Sequence, residues 1–391
     1  MAFAQIINPV DQLATRAHEL GFDLFGICSA HPAPRFDEYR RWIEQGRQGE
    51  MGYLARPDRL ARRMRPDLIL SGVRSVISVG MSYYAACDHA SESGRGQFAR
   101  YSWGADYHPI VLERLERLAA FARDTLCRDF EHRCYVDTGP LLERAVAERA
   151  GLGFVGKNSC LINPTIGSYT ILGEILVTID LPSTSPIAGV SCGTCRACID
   201  ACPTGAIVSP YVVDSRRCIS YLTIELKGPI PRELRPGIGN RIFGCDTCQE
   251  VCPWQRFARP GRIMIPTDEG HACPAPSLTD LMALDERGFR LRFAGTAVLR
   301  TGRTRLLRSV AVALGNWGHP DALHALLRGL HDPEPQIRGH SAWALGRFSE
   351  DRPRMALQAA LEMEQDSYAR DEIVAALAQQ PGVLSPNHHS M

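Results

Sequence analysis

Three stretches of the chain differ in how apolar and polar positions alternate. In the first 180 residues, apolar residues recur at helical spacing in three segments, namely 11–20, 108–127 and 141–150. Short apolar runs typical of buried strands accompany them at 22–28, 73–79, 134–136 and 169–179. This mixture of helical and strand periodicity predicts an α+β architecture for the first stretch.

The long periodic segments stop between residues 185 and 260, where cysteine, glycine and proline increase together. Such a segment buries little apolar surface, so another source of stability must organise it. Metal binding is the obvious candidate, because binding free energy then contributes directly to folding.

Helical periodicity returns after residue 300 and comes with an internal repeat. Ala313-Leu314-Gly315 recurs at residues 344–346 and, as Ala-Leu-Ala, at 376–378, so the spacings are 31 and 32 residues. Repeats of this kind predict a short α-solenoid. We describe it as HEAT-like, because HEAT units have a longer period of roughly 40 residues. An ordinary helical bundle is the alternative.

Eight cysteines in the second stretch have the spacing of a two-cluster ferredoxin. The first run reads Cys-x2-Cys-x2-Cys-x3-Cys-Pro, and the second ends in Cys-x2-Cys-x3-Cys-Pro. In two-cluster ferredoxins the fourth cysteine of such a run ligates the other cluster. The pattern therefore predicts one 4Fe–4S cluster on Cys192, Cys195, Cys198 and Cys252, and a second on Cys202, Cys218, Cys245 and Cys248.

Structural zinc is the alternative, since paired Cys-x2-Cys motifs also bind that metal. Zinc does not require three cysteines at successive two-residue gaps followed by Cys-Pro, so the spacing favours iron–sulfur clusters. The second run departs from the ferredoxin pattern, because 26 residues separate Cys218 from Cys245. This insert is long enough to have a role besides holding iron. The other six of the 14 cysteines are scattered, and we interpret them as packing residues.

Composition indicates the compartment. Hydrophobic residues make up 45% and charged residues 22% of the chain, as in soluble globular proteins. No apolar run approaches the length of a membrane span, and the N-terminus shows no secretory signal. We therefore expect a cytoplasmic protein without a membrane partner. In that reducing compartment, many cysteines indicate metal or redox chemistry rather than disulfides.

The net charge of +1 excludes a chain that is basic throughout, but positive charge is concentrated in one tract. Seven arginines and no acidic residue occupy residues 287–308. One interpretation is a solvated arginine-rich face. The other is a surface that contacts phosphates, because guanidinium groups match phosphate oxygens in geometry.

Two motifs ahead of the cysteines have the form of known sites. Gly151-x-Gly153-x-x-Gly156-Lys157 matches a dinucleotide fingerprint, but that motif follows a strand and opens a helix, whereas a helical segment precedes these glycines. We therefore predict no nucleotide site there. Asp137 follows a predicted strand, and spacing leaves two interpretations open. It caps the next helix, or it is a general acid whose pKa is raised by burial.

Six stretches make the chain resemble the epoxyqueuosine reductase family. They are RYSWGADYH (100–108), VDTGPLLERAVAERAGLGFVGKN (136–158), GSYTILGEILV (167–177), CGTCRACIDACPTGAIV (192–208), RCISYLTIELKGPIPRELRP (217–236) and GNRIFGCDTCQEVCPWQRF (239–257). Together they cover most of residues 20–260. The helical repeats are similar to the C-terminal extension of the longer family members.

The resemblance implies an oxidoreductase that converts epoxyqueuosine to queuosine at the wobble position of tRNA, the last step of queuosine biosynthesis. An N-terminal domain similar to flavin-dependent nitroreductases and reductive dehalogenases would bind cobalamin. The two clusters would supply electrons one at a time, and the epoxide oxygen would leave as water. An external electron donor (a reductase, ferredoxin or flavodoxin) is then required, and we expect a monomer.

The resemblance also implies roles for particular residues. Asp137 takes the position of the family's catalytic aspartate, which favours the general-acid interpretation. The segment 220–227 is expected to lie over the corrinoid and the first cluster. The motif DxHxxG is absent, so we expect no histidine ligand to cobalt. Cobalamin contacts are expected from Arg56, Asp137, Asn158, Leu161, Leu172 and Ser220, and tRNA contacts from Arg303, Arg305 and Arg308.

Three domains are predicted: a cobalamin-binding catalytic domain over 1–182, a ferredoxin-like domain over 183–262 and a HEAT-like, tRNA-binding domain over 275–385. Two rival functions follow from the same residues. A reductive dehalogenase would act on a small molecule, but such proteins usually carry a twin-arginine signal and lack helical repeats. A plain electron carrier would leave the first domain and the arginine tract without a role.

Overall fold

The computed structural model describes residues 8–86, 92, 94–261 and 275–379. The helices in this part of the chain are α1 (Pro9–Glu19), α2 (Phe36–Glu44), α3 (Pro57–Met64), α4 (Tyr107–Leu126), α5 (Glu143–Arg149), α6 (Ala197–Asp200), α7 (Arg235–Ile238), α8 (Thr247–Glu250), α9 (Leu278–Met282), α10 (Glu286–Arg292), α11 (Arg303–Trp317), α12 (Ala322–Gly329), α13 (Pro335–Leu345), α14 (Asp351–Met363) and α15 (Ser367–Gln379). The strands are β1 (Leu24–Ser29), β2 (Ser75–Ser82), β3 (Gln97–Phe98), β4 (His132–Tyr135), β5 (Phe154–Val155), β6 (Leu161–Ile162), β7 (Thr170–Val177), β8 (Ile207–Ser209), β9 (Val212–Val213) and β10 (Arg241–Phe243).

The described residues form two compact units. Unit 1 contains residues 8–86, 100–218 and 246–261, and unit 2 contains 92, 94–99, 219–245 and 275–379. The cysteine-rich segment is therefore divided between the units. The three predicted domains are defined by independent folding, which a division into compact units does not test. Their boundaries therefore stay a prediction.

Unit 1 is built on a four-stranded antiparallel sheet with the order β1-β2-β7-β4. Alternate residues of β7 point to opposite faces. Ile171 and Ile175 belong to an apolar cluster with residues of α1 and α4, whereas Leu172 and Leu176 belong to a second cluster with residues of α5. Both faces of the sheet are thus covered, which explains why β2 is buried along its whole length.

Parts of the cysteine-rich segment pack onto this sheet unit. The backbone N–H of Tyr211 donates to the carbonyl of Lys157 at 2.9 Å. Arg100, which is 5% exposed, donates from its backbone N–H to Asp246 at 2.7 Å and from its guanidinium to Tyr169 at 3.0 Å. These contacts fix α8 against the sheet, so the cysteines on and beside α8 have defined positions in unit 1.

Unit 2 is mainly helical, and the sequence repeat marks the crossings of its helices. A Cβ atom added to Gly315 would lie 2.7 Å from the Cβ of Ala344, and one added to Gly346 would lie 2.8 Å from Ala376. The repeated small residues therefore let α11 approach α13, and α13 approach α15. This packing confirms the predicted HEAT-like repeats.

The insert between Cys218 and Cys245 belongs to unit 2, where it packs on the repeats. The buried guanidinium of Arg235 donates to both oxygens of Glu372, at 2.8 Å and 2.7 Å. The backbone N–H of Ile230 donates to Nε2 of His340 at 3.1 Å. Burial, followed by the charge of Arg235, lowers the pKa of His340 well below its usual value, so the ring stays neutral and accepts this bond.

Each element that the periodicity predicts in the first 180 residues is present, with ends displaced by one to three residues. Cys87, Cys273 and residues 380–385 of the predicted third domain lie outside the described residues. Across the ranges that the structure describes, none of the helices combines the length and the apolar character that crossing a bilayer requires.

Candidate active site

Four cysteines of unit 1 line part of one cavity of about 240 Å³. They are Cys192, Cys195, Cys198 and Cys252, the set that the spacing assigns to the first cluster. Burial raises the pKa of Cys198 to about 11, and negative charge on the other three thiols adds to the shift. The thiols therefore lie close enough to repel one another as thiolates. A cation-rich cluster would remove that repulsion, so this donor set fits an iron–sulfur cluster.

Lys157 holds the loop that carries the first of these cysteines. Its Nζ donates to the carbonyls of Gly193 at 2.7 Å and Cys195 at 2.8 Å, and its backbone N–H donates to Sγ of Cys192 at 3.4 Å. The glycines before it are preceded by α5 and run through β5, as expected for a segment that is not a nucleotide site. The sequence argued against a nucleotide site at this motif but gave no signal for the contacts that Lys157 makes here.

The predicted ligands of the second cluster are distributed over both units. Cys202, Cys218 and Cys248 lie in unit 1, and Cys245 is the last residue of a unit 2 segment. The hairpin of β8 and β9 turns the chain back, so that Arg217 donates to the carbonyl of Thr204 at 2.9 Å. This turn brings the segments of Cys202 and Cys218 together. The backbone N–H of Ala206 already donates to Sγ of Cys202 at 3.2 Å.

Cys160 has a position that its sequence context does not indicate. Its thiol is hydrogen-bonded to that of Cys248, and this bond is the largest cause of a lowered Cys160 pKa. Asn158 is adjacent and donates from its amide to the carbonyl of Cys248 at 3.2 Å. Cys160 therefore contacts a predicted cluster ligand, and its interpretation as a scattered packing residue is incomplete.

Asp137 lies at the end of β4 and faces two side chains from the start of α4. The hydroxyl of Tyr107 donates to Oδ2 of Asp137 at 3.0 Å, and Nε2 of His108 lies 3.8 Å from the same oxygen. Asp106 caps α4 and contacts Nδ1 of His108 at 2.6 Å, which orients the ring. Asp137 does not cap α5, because the N-cap position is Leu142.

The backbone and exposure of Asp137 also bear on its predicted role. Its φ of 59° lies in the left-handed region, which a non-glycine residue adopts only when its surroundings impose it. The side chain is 56% exposed. This exposure corrects the expectation that Asp137 is buried, and it leaves the carboxyl group open to a substrate.

The expected cobalamin contacts fall into separate groups. Leu161 and Leu172 lie in one apolar cluster, at 5% and 9% exposure. Asn158 is also buried. Arg56 is the N-cap of α3, with its side chain 61% exposed and paired with Asp58 at 2.9 Å. Ser220 belongs to unit 2.

The three arginines expected to contact tRNA are engaged inside unit 2. Arg303 pairs with Asp332, and only 12% of its side chain is exposed. Arg305 donates to the carbonyls of Thr301 and Ile224. Arg308 is fully buried and donates to the carbonyls of 222, 226 and 228. Because Arg308 has no exposed surface, it is not a phosphate contact, and the expectation for this residue is wrong.

Together these features define a class of protein: a double iron–sulfur protein with an open acid on its sheet unit and a helical-repeat unit. Family models match all three parts. Residues 191–255 match the 4Fe-4S double cluster binding domain, residues 63–138 match "Epoxyqueuosine reductase QueG, DUF1730", and residues 296–378 match HEAT repeats.

Curated relatives extend the match over most of the chain. The epoxyqueuosine reductase of Escherichia coli K12 is 40% identical over 355 residues, covering 89% of this chain and 91% of that protein. That of Pseudomonas aeruginosa is 42% identical over 342 residues, covering 85% and 92%. The chain belongs to the epoxyqueuosine reductase family.

Solved structures of the family have the same fold. An epoxyqueuosine reductase in complex with an epoxyqueuosine-modified tRNA-Tyr stem loop matches with a TM-score of 0.83 and 35% identity, covering 94% of this chain and 98% of that one. The Bacillus subtilis enzyme, solved with its catalytic aspartate loop swung out of the active site, matches with a TM-score of 0.82 and 34% identity, covering 95% and 98%.

Proposed function

We propose that this chain reduces epoxyqueuosine to queuosine at the wobble position of tRNA, the last step of queuosine biosynthesis. Membership of the family and the relative solved with a modified stem loop support the substrate. The observation that carries the proposal is the combination, within unit 1, of an open acid and a cavity lined by four cysteines. Removal of an epoxide oxygen as water consumes both electrons and protons, and these two features supply them.

Asp137 is the general acid. As the carbon–oxygen bonds of the epoxide break, the leaving oxygen accumulates negative charge, and a nearby acid lowers that cost by donating a proton. The Tyr107 hydroxyl and the His108 ring fix the carboxyl group at the end of β4. A structure of the Bacillus subtilis relative has its catalytic aspartate loop swung out of the active site, which supports a catalytic role for the loop that carries Asp137.

Two 4Fe–4S clusters carry electrons to the site. The first is held by Cys192, Cys195, Cys198 and Cys252, and the second by Cys202, Cys218, Cys245 and Cys248. The cavity bounded by the first four thiols supports the crossed assignment. An external reductase, ferredoxin or flavodoxin loads the clusters.

Cobalamin is the second cofactor, and it supplies a low-valent cobalt centre that takes up and delivers electrons singly or in pairs. Tyr135 and Leu141, which flank Asp137 in sequence, belong to the apolar cluster of Leu161 and Leu172. An apolar cluster that includes residues close in sequence to an exposed acid supports a corrinoid site. The candidate contacts of cobalamin are Leu161, Leu172 and Asn158, together with Arg56 and Ser220 from other segments. The antiparallel sheet with helices on both faces supports a nitroreductase-like domain over 1–182.

Transfer RNA binds mainly through exposed arginines that precede Arg303 in the arginine tract. Arg287, Arg290 and Arg300 are exposed, whereas Arg303 and Arg308 are almost or fully buried. Phosphate contacts require solvent-accessible guanidinium groups and make affinity depend on salt. An unpaired anticodon nucleotide enters an active-site pocket at low energetic cost, because little pairing and stacking is lost. The protein acts as a monomer on this substrate.

The direct test uses protein reconstituted anaerobically with iron, sulfide and cobalamin, a chemical reductant and an epoxyqueuosine-containing stem loop. Nucleosides are then quantified by mass spectrometry. We expect queuosine to form, about eight irons per chain from two clusters, and stoichiometric cobalamin. Iron without cobalamin or turnover would instead indicate an electron carrier.

The Asp137→Asn variant tests the acid. It should keep both cofactors and lose at least a hundredfold in turnover, since general acid catalysis contributes about 10²–10⁴. Asp129→Asn is the matched control, because Asp129 is exposed in the loop that follows α4. Unchanged turnover in Asp137→Asn would eliminate the general-acid role.

A further inference from the structure

The backbone of Lys157 is fixed beside the cysteines of the first cluster. Its N–H donates to Sγ of Cys192 at 3.4 Å, and its carbonyl accepts from the backbone N–H of Tyr211 at 2.9 Å. The turn around it is closed by the N–H of Ser159, which donates to the carbonyl of Gly156 at 2.8 Å. None of these bonds involves the Lys157 side chain, so side-chain substitutions leave them in place.

The side chain of Lys157 is fixed as well. Its Nζ donates to the carbonyls of Gly193 at 2.7 Å and Cys195 at 2.8 Å, both in the loop that carries the first cysteines. Lys157 is half-buried and lines the same cavity as the four cysteines. Its positive charge therefore has a defined position beside the thiols, where water screens it only in part.

Among the described residues, no acidic side chain lines the cavity that contains this charge. Besides the cysteines, the lining residues are Lys157, Asn158, Ile162, Pro253, Trp254 and Arg256. The acidic residues of α6 and α8 have cationic partners of their own. Asp200 pairs with Arg196 at 3.4 Å, and Glu250 pairs with Arg100 at 2.7 Å. The charge of Lys157 is therefore not cancelled at the cavity.

The cavity has a second cation, which differs in its exposure. Arg256 is exposed, and its guanidinium lies over the ring of Phe257, 4.6 Å from the centroid. Water and salt screen a charge in such a position more strongly than a half-buried one. The chain thus provides two cations of equal charge at one cavity, of which Lys157 is the less screened.

Each electron that an iron–sulfur cluster accepts adds negative charge to a centre already bound by thiolates. A fixed cation stabilises the reduced form more than the oxidised form, and it therefore raises the reduction potential. We propose that the Lys157 ammonium group raises the potential of the first cluster, so that an external donor can load it. In this step one electron passes from the donor to the cluster, the donor is oxidised, and no covalent bond of Lys157 changes.

This inference rests on the proposed function, in which Cys192, Cys195, Cys198 and Cys252 hold a cluster. Lys157 is a positioning residue, since it acts on the reaction through that cluster. For a half-buried charge we expect an effect of about tenfold in the equilibrium constant of reduction, which is about 59 mV for a one-electron couple.

The test is an EPR-monitored redox titration of the reconstituted holoenzyme without tRNA. The signal that is lost or altered in Cys192→Ser identifies the first cluster. Lys157→Gln keeps an amide donor for the loop carbonyls but removes the charge. It should make reduction of the first cluster about tenfold less favourable and leave the second cluster unchanged. Lys157→Arg keeps charge and donors, so its first-cluster equilibrium should stay within about twofold of wild type.

Arg256→Met is the matched control, because it removes the same charge from the same cavity at an exposed position. Its effect should stay below about threefold. Equal shifts in Arg256→Met and Lys157→Gln would overturn the special role of the fixed ammonium. A first-cluster potential in Lys157→Gln equal to that of wild type would overturn the charge effect. Loss of the first cluster's iron in Lys157→Gln would show a purely structural role and would also overturn the inference.

Turnover gives a second reading of the same effect. With a flavodoxin as electron donor, Lys157→Gln should lower kcat by up to about tenfold and leave KM for the stem loop unchanged. Titanium(III) citrate, a stronger reductant, should restore the rate.

The outcomes separate this inference from the proposed function. A wild-type holoenzyme that does not deoxygenate epoxyqueuosine would overturn the proposed function, while the titration would still report on Lys157. Normal turnover, together with equal first-cluster potentials in wild type and Lys157→Gln, would overturn the role of Lys157 alone.

Discussion

Arg308 provides a quantitative test of the structure. Its sequence context predicts that replacing it weakens tRNA binding, whereas its observed position predicts that replacing it destabilises unit 2. In the sequence it belongs to an arginine tract suited to phosphate binding. In the structure its guanidinium lies inside unit 2 and donates to the carbonyls of Leu222 at 2.8 Å and Leu226 at 2.6 Å, to that of Gly228, and to Oε1 of Gln336 at 3.2 Å. Arg308→Met keeps most of the side-chain volume and removes all of these donors.

The expected loss of stability in Arg308→Met follows from the backbone carbonyls that are left without a donor. Three backbone carbonyls lose a charged donor, and each buried, unpaired acceptor costs about 1–3 kcal/mol. Part of this cost is offset because a buried guanidinium no longer has to be desolvated. We therefore expect a loss of about 3 kcal/mol in the free energy that holds residues 219–230 against α11, or roughly a hundredfold in the opening equilibrium.

Hydrogen exchange measured by mass spectrometry reports this equilibrium locally. The amides of Leu226 and Ile230, bonded to Tyr221 and His340, should exchange about a hundredfold faster in Arg308→Met. Arg290→Met is the control, because Arg290 is exposed and paired with Glu286 on its own helix, so its effect should stay within about 0.5 kcal/mol. Unchanged exchange, together with a lower salt dependence of tRNA binding in Arg308→Met, would refute the structural role.

Three further predictions concern single side chains. Charge removal at Arg287 and Arg300 should reduce the salt dependence of stem-loop binding by about one unit of slope each, measured by titration at several salt concentrations; an unchanged slope would exclude this surface. Glu174→Met should stabilise unit 1 by about 1–3 kcal/mol in hydrogen exchange of β2 and β7, because Glu174 is a carboxyl group buried in the sheet, and a destabilised sheet would contradict that cost of burial. Cys160→Ala should lower the reduction potential of the second cluster by on the order of 40 mV in an EPR-monitored titration, because Cys248 binds iron as a thiolate and then accepts a hydrogen bond worth about 1 kcal/mol from the Cys160 thiol; an unchanged potential would exclude the contact.

Periodicity predicted the elements of unit 1 well because its helices and strands are amphipathic or fully buried. β7 shows why: Ile171 and Ile175 alternate with Leu172 and Leu176, so the two faces can be separated from sequence alone. The helical repeat could also be predicted from the sequence, because close helix crossings require small residues such as Gly315 and Gly346 at a fixed spacing.

The predictions that failed share a physical cause. The spacing of residues along the sequence does not indicate which side chains are buried or which distant segments they contact. Arg308 and exposed arginines of the same tract look alike in sequence, although Arg308 is buried against a segment about 80 residues away. The contact of Cys160 with Cys248 also joins distant segments. Glu174 did leave a local signal, because an acidic residue interrupts an otherwise apolar strand.

The central claim is that this chain removes the epoxide oxygen of epoxyqueuosine in tRNA. The most direct measurement is mass spectrometry of tRNA nucleosides from a strain that lacks the protein, complemented with wild type or with Asp137→Asn. We predict that epoxyqueuosine accumulates without the protein and with Asp137→Asn, and that wild type restores queuosine. Normal queuosine in the deletion strain, without accumulated epoxyqueuosine, would contradict the claim.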